Sequence, residues 1–335
     1  MSILIWITLS KYSLLHLTTK YTMYRKGLAA LPNVEVLSPL VTRVLGQNPG
    51  PKTLQGTNTY LVGKYPNVVL IDTGEPDKKS YTDLLRDTVR SSNLTVKGII
   101  ITHWHPDHLG GCGTVRTLLD EMWTSGNKTM CSNHGGDCAI LGDSKVPEQC
   151  NVPVFKMPHA FDSEIAPGQN MHHLHDKQLV EVSEGCTLRV LHTPGHTDDS
   201  ICLHLLQENS LFSADTVLGG SSGEFSNYTH YIKSLNRLRE LAPVRVYPGH
   251  GQVEDGGVVD RYLSHRQDRE GQVLAALRGE ESHVGVGKLT EIVYQNENLH
   301  PGLVVAAQGI VGLMLEKLRA DGTAREVEDG FWVAT

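Results

Sequence analysis

One short stretch constrains this chain more than any other: Thr102-His103-Trp104-His105-Pro106-Asp107-His108. It closes Val96–Thr102, a continuous apolar run of the kind that forms a strand buried on both faces. Four metal-competent side chains, His103, His105, Asp107 and His108, fall within six residues. On an extended segment His103 and His105 point to one side. Pro106 then bends the chain, so that Asp107 and His108 address a neighbouring point. Ligands of open α/β sheets lie beyond the carboxyl ends of strands, so this stretch predicts an α/β fold that ends a buried strand at a metal site.

Three later positions share that setting. His196 follows Leu188–Leu191 in His192-Thr193-Pro194-Gly195-His196-Thr197, Asp215 follows Leu211-Phe212-Ser213, and His250 follows Val246-Tyr247-Pro248-Gly249. Each is a ligand-type residue on a turn-rich loop just past an apolar strand, where a rigid scaffold presents side chains to a cleft. The total is five His and two Asp. Two four- to five-coordinate ions sharing one carboxylate would use all seven. Imidazole and carboxylate without thiolate fit zinc, with manganese or iron as alternatives.

The rest of the pattern predicts alternating strands and helices. Strands are expected at Val34–Leu45, Thr59–Gly63, Val68–Asp72, Leu179–Val182, Thr187–Leu191, Ser200–Leu206, Ser210–Ser213 and Val244–Tyr247. Helices are expected at Asp77–Ser91, Gly113–Trp123 and Tyr228–Leu241, and again at Val258–Gly279, Gly287–Tyr294 and Val304–Asp321, before a hairpin at Ala324–Ala334. Strands then helices, repeated, predict two sheets sandwiched by helices. The expected organisation is a leader at 1–33, a main domain at 34–256 with a polar insertion at about 125–170, and a helical appendix at 257–335.

Composition narrows the classes. The 335 residues carry a net charge of −7, a poor match for a generic nucleic-acid coat but compatible with a metal-lined site that accepts phosphate. No apolar run approaches the ~18–20 residues of a membrane span, so no membrane partner is expected. The six cysteines form no CxxC pair and read as reduced, mostly buried thiols. Residues 1–34 contain no Asp or Glu but carry Lys11, Lys20, Arg25 and Lys26, the composition of an organelle presequence. The mitochondrial matrix is the expected location, or the cytosol if translation starts at Met23. A monomer or a homodimer is expected.

HxHxDH, then PGHT, an Asp past a strand and GH together resemble the metallo-beta-lactamase superfamily, and that resemblance implies an αββα sandwich. It assigns His103, His105 and His196 to one metal, Asp107, His108 and His250 to the second, and Asp215 to a bridge. It places Asp72, in Leu70-Ile71-Asp72-Thr73-Gly74, behind the ligands. More narrowly, Arg43–Pro51, Thr53–Val62, Thr102–His105, Thr193–Asp199 and Tyr262–Arg266 resemble the beta-lactamase-like protein 2 family. This implies an endoribonuclease acting on single-stranded RNA in mitochondria, with a winged-helix-type appendix. Ala214 departs from the family's glycine before the bridging Asp, and its methyl is expected to crowd the metal loop.

The resemblance implies a dinuclear zinc hydrolase in which Asp107 also orients the attacking hydroxide. Thr57, Asn58, His265 and Arg266 are the candidate substrate-binding residues, with Arg269 one helical turn beyond His265. A glyoxalase II-like thioesterase shares the same ligands and is the first alternative; a mononuclear-iron sulfur dioxygenase is the second. Cys131, His134, Asp137 and Cys138 are a weak candidate for a third ion, His172, His173 and His175 read as solvated, and Lys288, Lys317 and Arg319 offer the tail a weak RNA-holding role.

Overall fold

A computed structural model describes residues 28–124, 139–140, 152–165, 168, 171–297, 301–328 and 330–335. Residues 1–27 of the expected leader and the four-residue candidate at 131–138 lie outside the described residues.

The first sheet uses β1 (Val34–Ser38), β2 (Val41–Leu45), β3 (Asn58–Val62), β4 (Asn67–Ile71) and β5 (Thr95–Ile101). Helix α1 (Lys79–Ser91) connects β4 to β5; α2 (Pro106–Leu109) and α3 (Cys112–Thr124) follow β5. The predicted strand Val34–Leu45 is in fact a hairpin, turning at Pro39-Leu40 so that Ser38 pairs with Val41. Proline lacks the N–H that an unbroken ladder needs. Next come β6 (Ala139–Ile140), β7 (Val154–Lys156), α4 (Asp162–Ile165) and β8 (Met171–His173). Both β7 and β8 extend the first sheet, in the order β1-β2-β3-β4-β5-β7-β8. Thus Val154–Lys156 and Met171–His173, at and beside the end of the expected insertion, are scaffold; strands of three residues are too short to leave a periodic signal.

The second sheet contains β9 (Leu179–Ser183), β10 (Cys186–His192), β11 (Ile201–Leu205) and β12 (Ser210–Ala214). After α5 (Tyr228–Glu240) it adds β13 (Arg245–Pro248) and β14 (Glu254–Asp255), in the order β14-β13-β12-β11-β10-β9-β6. Alternation along the strands builds two layers of core. Tyr60, Val62, Val69 and Ile71 face inward and meet Val180, Leu188, Val190 and Phe212 of the other sheet. Leu61, Val68 and Leu70 face outward onto Tyr81 and Leu85 of α1 and Val115 and Leu119 of α3. The outer face of the second sheet is covered by Tyr228, Tyr231 and Leu235 of α5. This is the expected αββα sandwich.

The C-terminal elements are α6 (Val258–Gly279), β15 (Val284–Gly285), α7 (Val286–Val293), α8 (Pro301–Ala320), β16 (Ala324–Glu328) and β17 (Phe331–Ala334). Their sheet runs β15-β17-β16, and with the helix order this is the winged-helix arrangement. Val311, Leu315 and Trp332 share one apolar cluster with Leu191 and Tyr231, so this unit packs on the sandwich. Among the described residues no helix is long and apolar enough to cross a membrane.

Candidate metal centre

The ends of β4, β5, β10, β12 and β13 deliver Asp72, the 103–108 stretch, His196, Asp215 and His250 to one place. Two glycines are required for this convergence. A Cβ on Gly195 would lie 2.4 Å from the Tyr231 backbone, so only glycine lets the His196 loop rest on α5. A Cβ on Gly249 would lie 2.3 Å from Asp215 Oδ1.

Two clusters result. In the first, His105 Nδ1 lies 3.1 Å from His103 Nε2 and 3.0 Å from His196 Nε2. In the second, His250 Nε2 lies 3.1 Å from Asp107 Oδ2 and 3.3 Å from His108 Nε2. Asp215 stands between them. Its Oδ2 is 3.7 Å from His196 Nε2 and 3.4 Å from His250 Nε2, while its Oδ1 is 3.4 Å from His108 Nε2.

Hydrogen bonds on the far side of each ring set which nitrogen faces inward. Asp72 accepts from the Thr102 N–H and hydroxyl and from His108 Nδ1 at 2.8 Å. Because the Thr102 hydroxyl donates to Asp72, its oxygen accepts from His103 Nδ1 at 3.0 Å. The Glu224 carbonyl accepts from His196 Nδ1 at 2.8 Å, and the Gly56 carbonyl lies 3.4 Å from His250 Nδ1. The Nε2 lone pairs of His103, His108 and His196 therefore point at the centre, the arrangement in which outer partners orient metal ligands.

The electrostatics fit a cation. Burial, then the neighbouring rings His108, His105 and His196, hold His103 well below its ordinary pKa. Burial and His196 lower His105 to about 3. Neutral rings with converging lone pairs repel one another unless a positive ion lies between them. In the second cluster burial lifts the Asp107 and Asp215 carboxyls, but His108 and His250 more than offset it and hold both well below the usual range. Burial acts against the charged form of His250, yet Asp215 and Asp107 raise it to about 9, and they push His108 up likewise. These carboxylates demand positive charge where a metal would sit. Asp215 Oδ1 is buried and has no hydrogen-bond partner among the described residues, as expected of an oxygen reserved for an ion. The donor set, imidazole and carboxylate with no thiolate, suits a divalent cation of the zinc, manganese or iron type.

The family model of the metallo-beta-lactamase superfamily matches residues 53–250, which contain every one of these side chains. The chain belongs to the metallo-beta-lactamase superfamily. Its members are metal-dependent hydrolases, and the His/Asp clusters supply the corresponding donor set. The chain is 38% identical over 292 residues to the Caenorhabditis elegans beta-lactamase-like protein 2 homolog, covering 86% of this chain and 87% of that one. To the Drosophila melanogaster homolog it is 34% identical over 307 residues, 89% and 94% of the two chains. An Aspergillus novofumigatus protein named atrochrysone carboxyl ACP thioesterase is 31% identical, covering 88% and 83%. A metallo-beta-lactamase family protein of Thermus thermophilus shares the fold at a TM-score of 0.63 and 21% identity, covering 90% of this chain and all of that one.

The expected substrate residues are placed differently. Thr57 is buried, and its hydroxyl takes the Asn48 amide at 3.0 Å and reaches Asp107 Oδ2 at 3.4 Å. Asn58 is buried and donates to the Pro248 and Gly251 carbonyls on either side of His250. Both brace the centre instead of facing a substrate. Arg266, 5% exposed, donates to the Gly223 carbonyl and lies 5.0 Å over the Phe225 ring, so it holds the 219–227 loop from within. His265 alone of the four is exposed, lining an approximately 320 Å³ pocket with Arg261, Tyr262 and Ser221. Arg269 pairs with Glu297, Lys317 with Glu270 and Asp321, Lys288 with Glu291, and Arg319 with Glu316 and Glu326. His172, His173 and His175 are exposed, as expected, and Cys112, Cys186 and Cys202 are buried free thiols.

Ala214 sits at φ 45°, a left-handed conformation that glycine adopts without strain. It is 5% exposed, and the ligand positions still converge around it, so its methyl does not crowd them apart. Sequence reasoning missed the Glu224 carbonyl, which carries no side-chain signal. It also missed Lys156, His159 and Phe161, which fall within the polar stretch set aside as an insertion.

Proposed function

We propose that this hydrolase cleaves phosphodiester bonds within single-stranded RNA, using two divalent cations, with zinc as the expected metal. The observation that carries the reading is the Asp215 carboxylate, with one oxygen toward His108 and the other toward both His196 and His250. His103, His105 and His196 would hold one ion, Asp107, His108 and His250 the other, and Asp215 both. Bound there, divalent cations lower the pKa of water toward ~7 and neutralise charge growing on a phosphoryl group. Two carboxylates among seven ligands leave the loaded centre positively charged, which suits an anionic phosphodiester. Asp107 has the most exposed carboxylate of the set, its side chain 22% open. Its carboxylate would take a hydrogen bond from the attacking water, and the Thr57 hydroxyl and His250 fix its orientation. The motif resemblance to the beta-lactamase-like protein 2 family is what favours RNA, and the chain is 38% identical to the nematode homolog of that name against 31% to the thioesterase.

The thioesterase relatives support one competing reading, hydrolysis of a neutral thioester by the same ligands. The purified enzyme is to be offered single-stranded RNA, S-lactoylglutathione and an acyl-carrier-protein thioester. Internal RNA cleavage that a chelator abolishes is the expected result. Turnover of a thioester with intact RNA would replace the nuclease reading. Matrix localisation is part of the same proposal, checked by fractionation of cells that express the full chain.

A further inference from the structure

Beside His105 the centre is flanked by aromatic rings. Trp104 packs edge-on against His105 with ring centroids 4.7 Å apart. His159 stacks on Trp104 at 5.2 Å with planes 2° apart, and Phe161 meets Trp104 and His159 edge-on at 5.2 and 5.1 Å. Trp104 and Phe161 are half-buried at the surface, the His159 side chain is 9% exposed, and none of the three belongs to an apolar cluster of the core.

Buried polar contacts hold this shelf against the metal loop. Lys156, fully buried on β7, donates to Asp199 and to the Met157 carbonyl and lies 2.7 Å from Asp162. Asp162 accepts the His159 N–H at 2.8 Å. Asp199 accepts the hydroxyl of Thr197, the neighbour of His196. His159 Nε2 also lies 3.0 Å from Asp198. A buried lysine is costly unless its charge is paired. Here the pairing ties the segment that carries His159 and Phe161 to the loop that carries His196.

We propose that Trp104, His159 and Phe161 form a stacking shelf for the nucleobase adjacent to the scissile phosphate. The proposal rests on the nuclease reading above. A phosphate held at the metal centre puts its neighbouring base within reach of a ring one residue from two ligand positions. With His159 Nε2 engaged by Asp198, the shelf contributes ring faces, on which every base can stack. Single-stranded RNA is commonly held in this way. The shelf therefore favours unpaired RNA while reading little of its sequence.

The test uses the full chain loaded with metal and a set of RNA oligomers with a single preferred cleavage site, each abasic at one position. For wild type, removal of one particular base next to the cleaved bond is expected to raise KM about 5- to 100-fold, the range of a single base–aromatic stack. Phe161→Ala is expected to raise KM for intact RNA by a similar factor, with a much smaller change in kcat, and to lose its response to the abasic position. Phe161→Tyr restores both, and Phe161→Leu, which keeps bulk without a π face, does not. Equal metal content across the variants excludes damage to the centre as the cause. Wild-type cleavage that is indifferent to every abasic position overturns the shelf and leaves the nuclease reading standing. Failure of wild type to cleave any RNA overturns both.

Discussion

On the floor of the site, His103, His108 and His196 hang from strand ends and are each fixed by a partner behind the ring: the Thr102 hydroxyl, Asp72 and the Glu224 carbonyl. On the wall, the 219–227 loop is held from within by Arg266 at Gly223 and by Tyr262 at Ser221. The floor fixes where donor atoms point, and an error of a fraction of an ångström there alters the chemistry. The wall chiefly fixes where a loop runs, and it reaches the floor through the Glu224 carbonyl. Polar residues of the two regions look alike in sequence, yet changes to them should produce different kinds of damage.

The largest effect is expected on the floor. Asp215→Asn keeps the shape of the side chain but removes the charge facing both clusters; kcat/KM for RNA should fall ~10³-fold or more, with the circular dichroism spectrum retained. A smaller loss would mean that one cluster suffices. Asp72→Asn should weaken metal binding about 10- to 100-fold, the usual effect of losing a ligand's outer partner, measured by competition with a chelator. On the wall, Arg266→Gln should instead cost about 1–3 kcal/mol in urea unfolding, because the Gly223 carbonyl loses its donor. The dependence of log KM on log salt should hardly change. A phosphate-contacting arginine would reduce that slope by about 0.7, so such a change would return Arg266 to the substrate. The smallest effect belongs to Ala214→Gly, which relieves the left-handed residue at the end of β12 and should stabilise the fold by ~1 kcal/mol or less.

The same contrast explains what could be read from sequence. The seven ligand positions were legible because each sits at a strand end with its own turn chemistry, and four of them lie within one short stretch. Asp72 was legible for the same reason. The burial of Thr57, Asn58 and Arg266 was not legible, because it depends on which distant loop covers them: Pro248 and Gly251 for Asn58, Gly223 for Arg266. The sandwich could be read from strand alternation, apart from the Pro39 hairpin and the three-residue strands β7 and β8. The ring contacts of Trp104 with His159 and Phe161 join residues more than fifty positions apart, and no local pattern announces such a contact.

The central claim is that seven side chains from four loops hold two divalent cations that cleave RNA. Elemental analysis of purified, active protein, read beside its rate of RNA cleavage as metal is withdrawn and restored, tests it most directly. The expected result is two ions per chain, with activity lost on withdrawal and recovered on return, and reduced metal content in His103→Ala. RNA cleavage by protein that carries no bound divalent ion would contradict it.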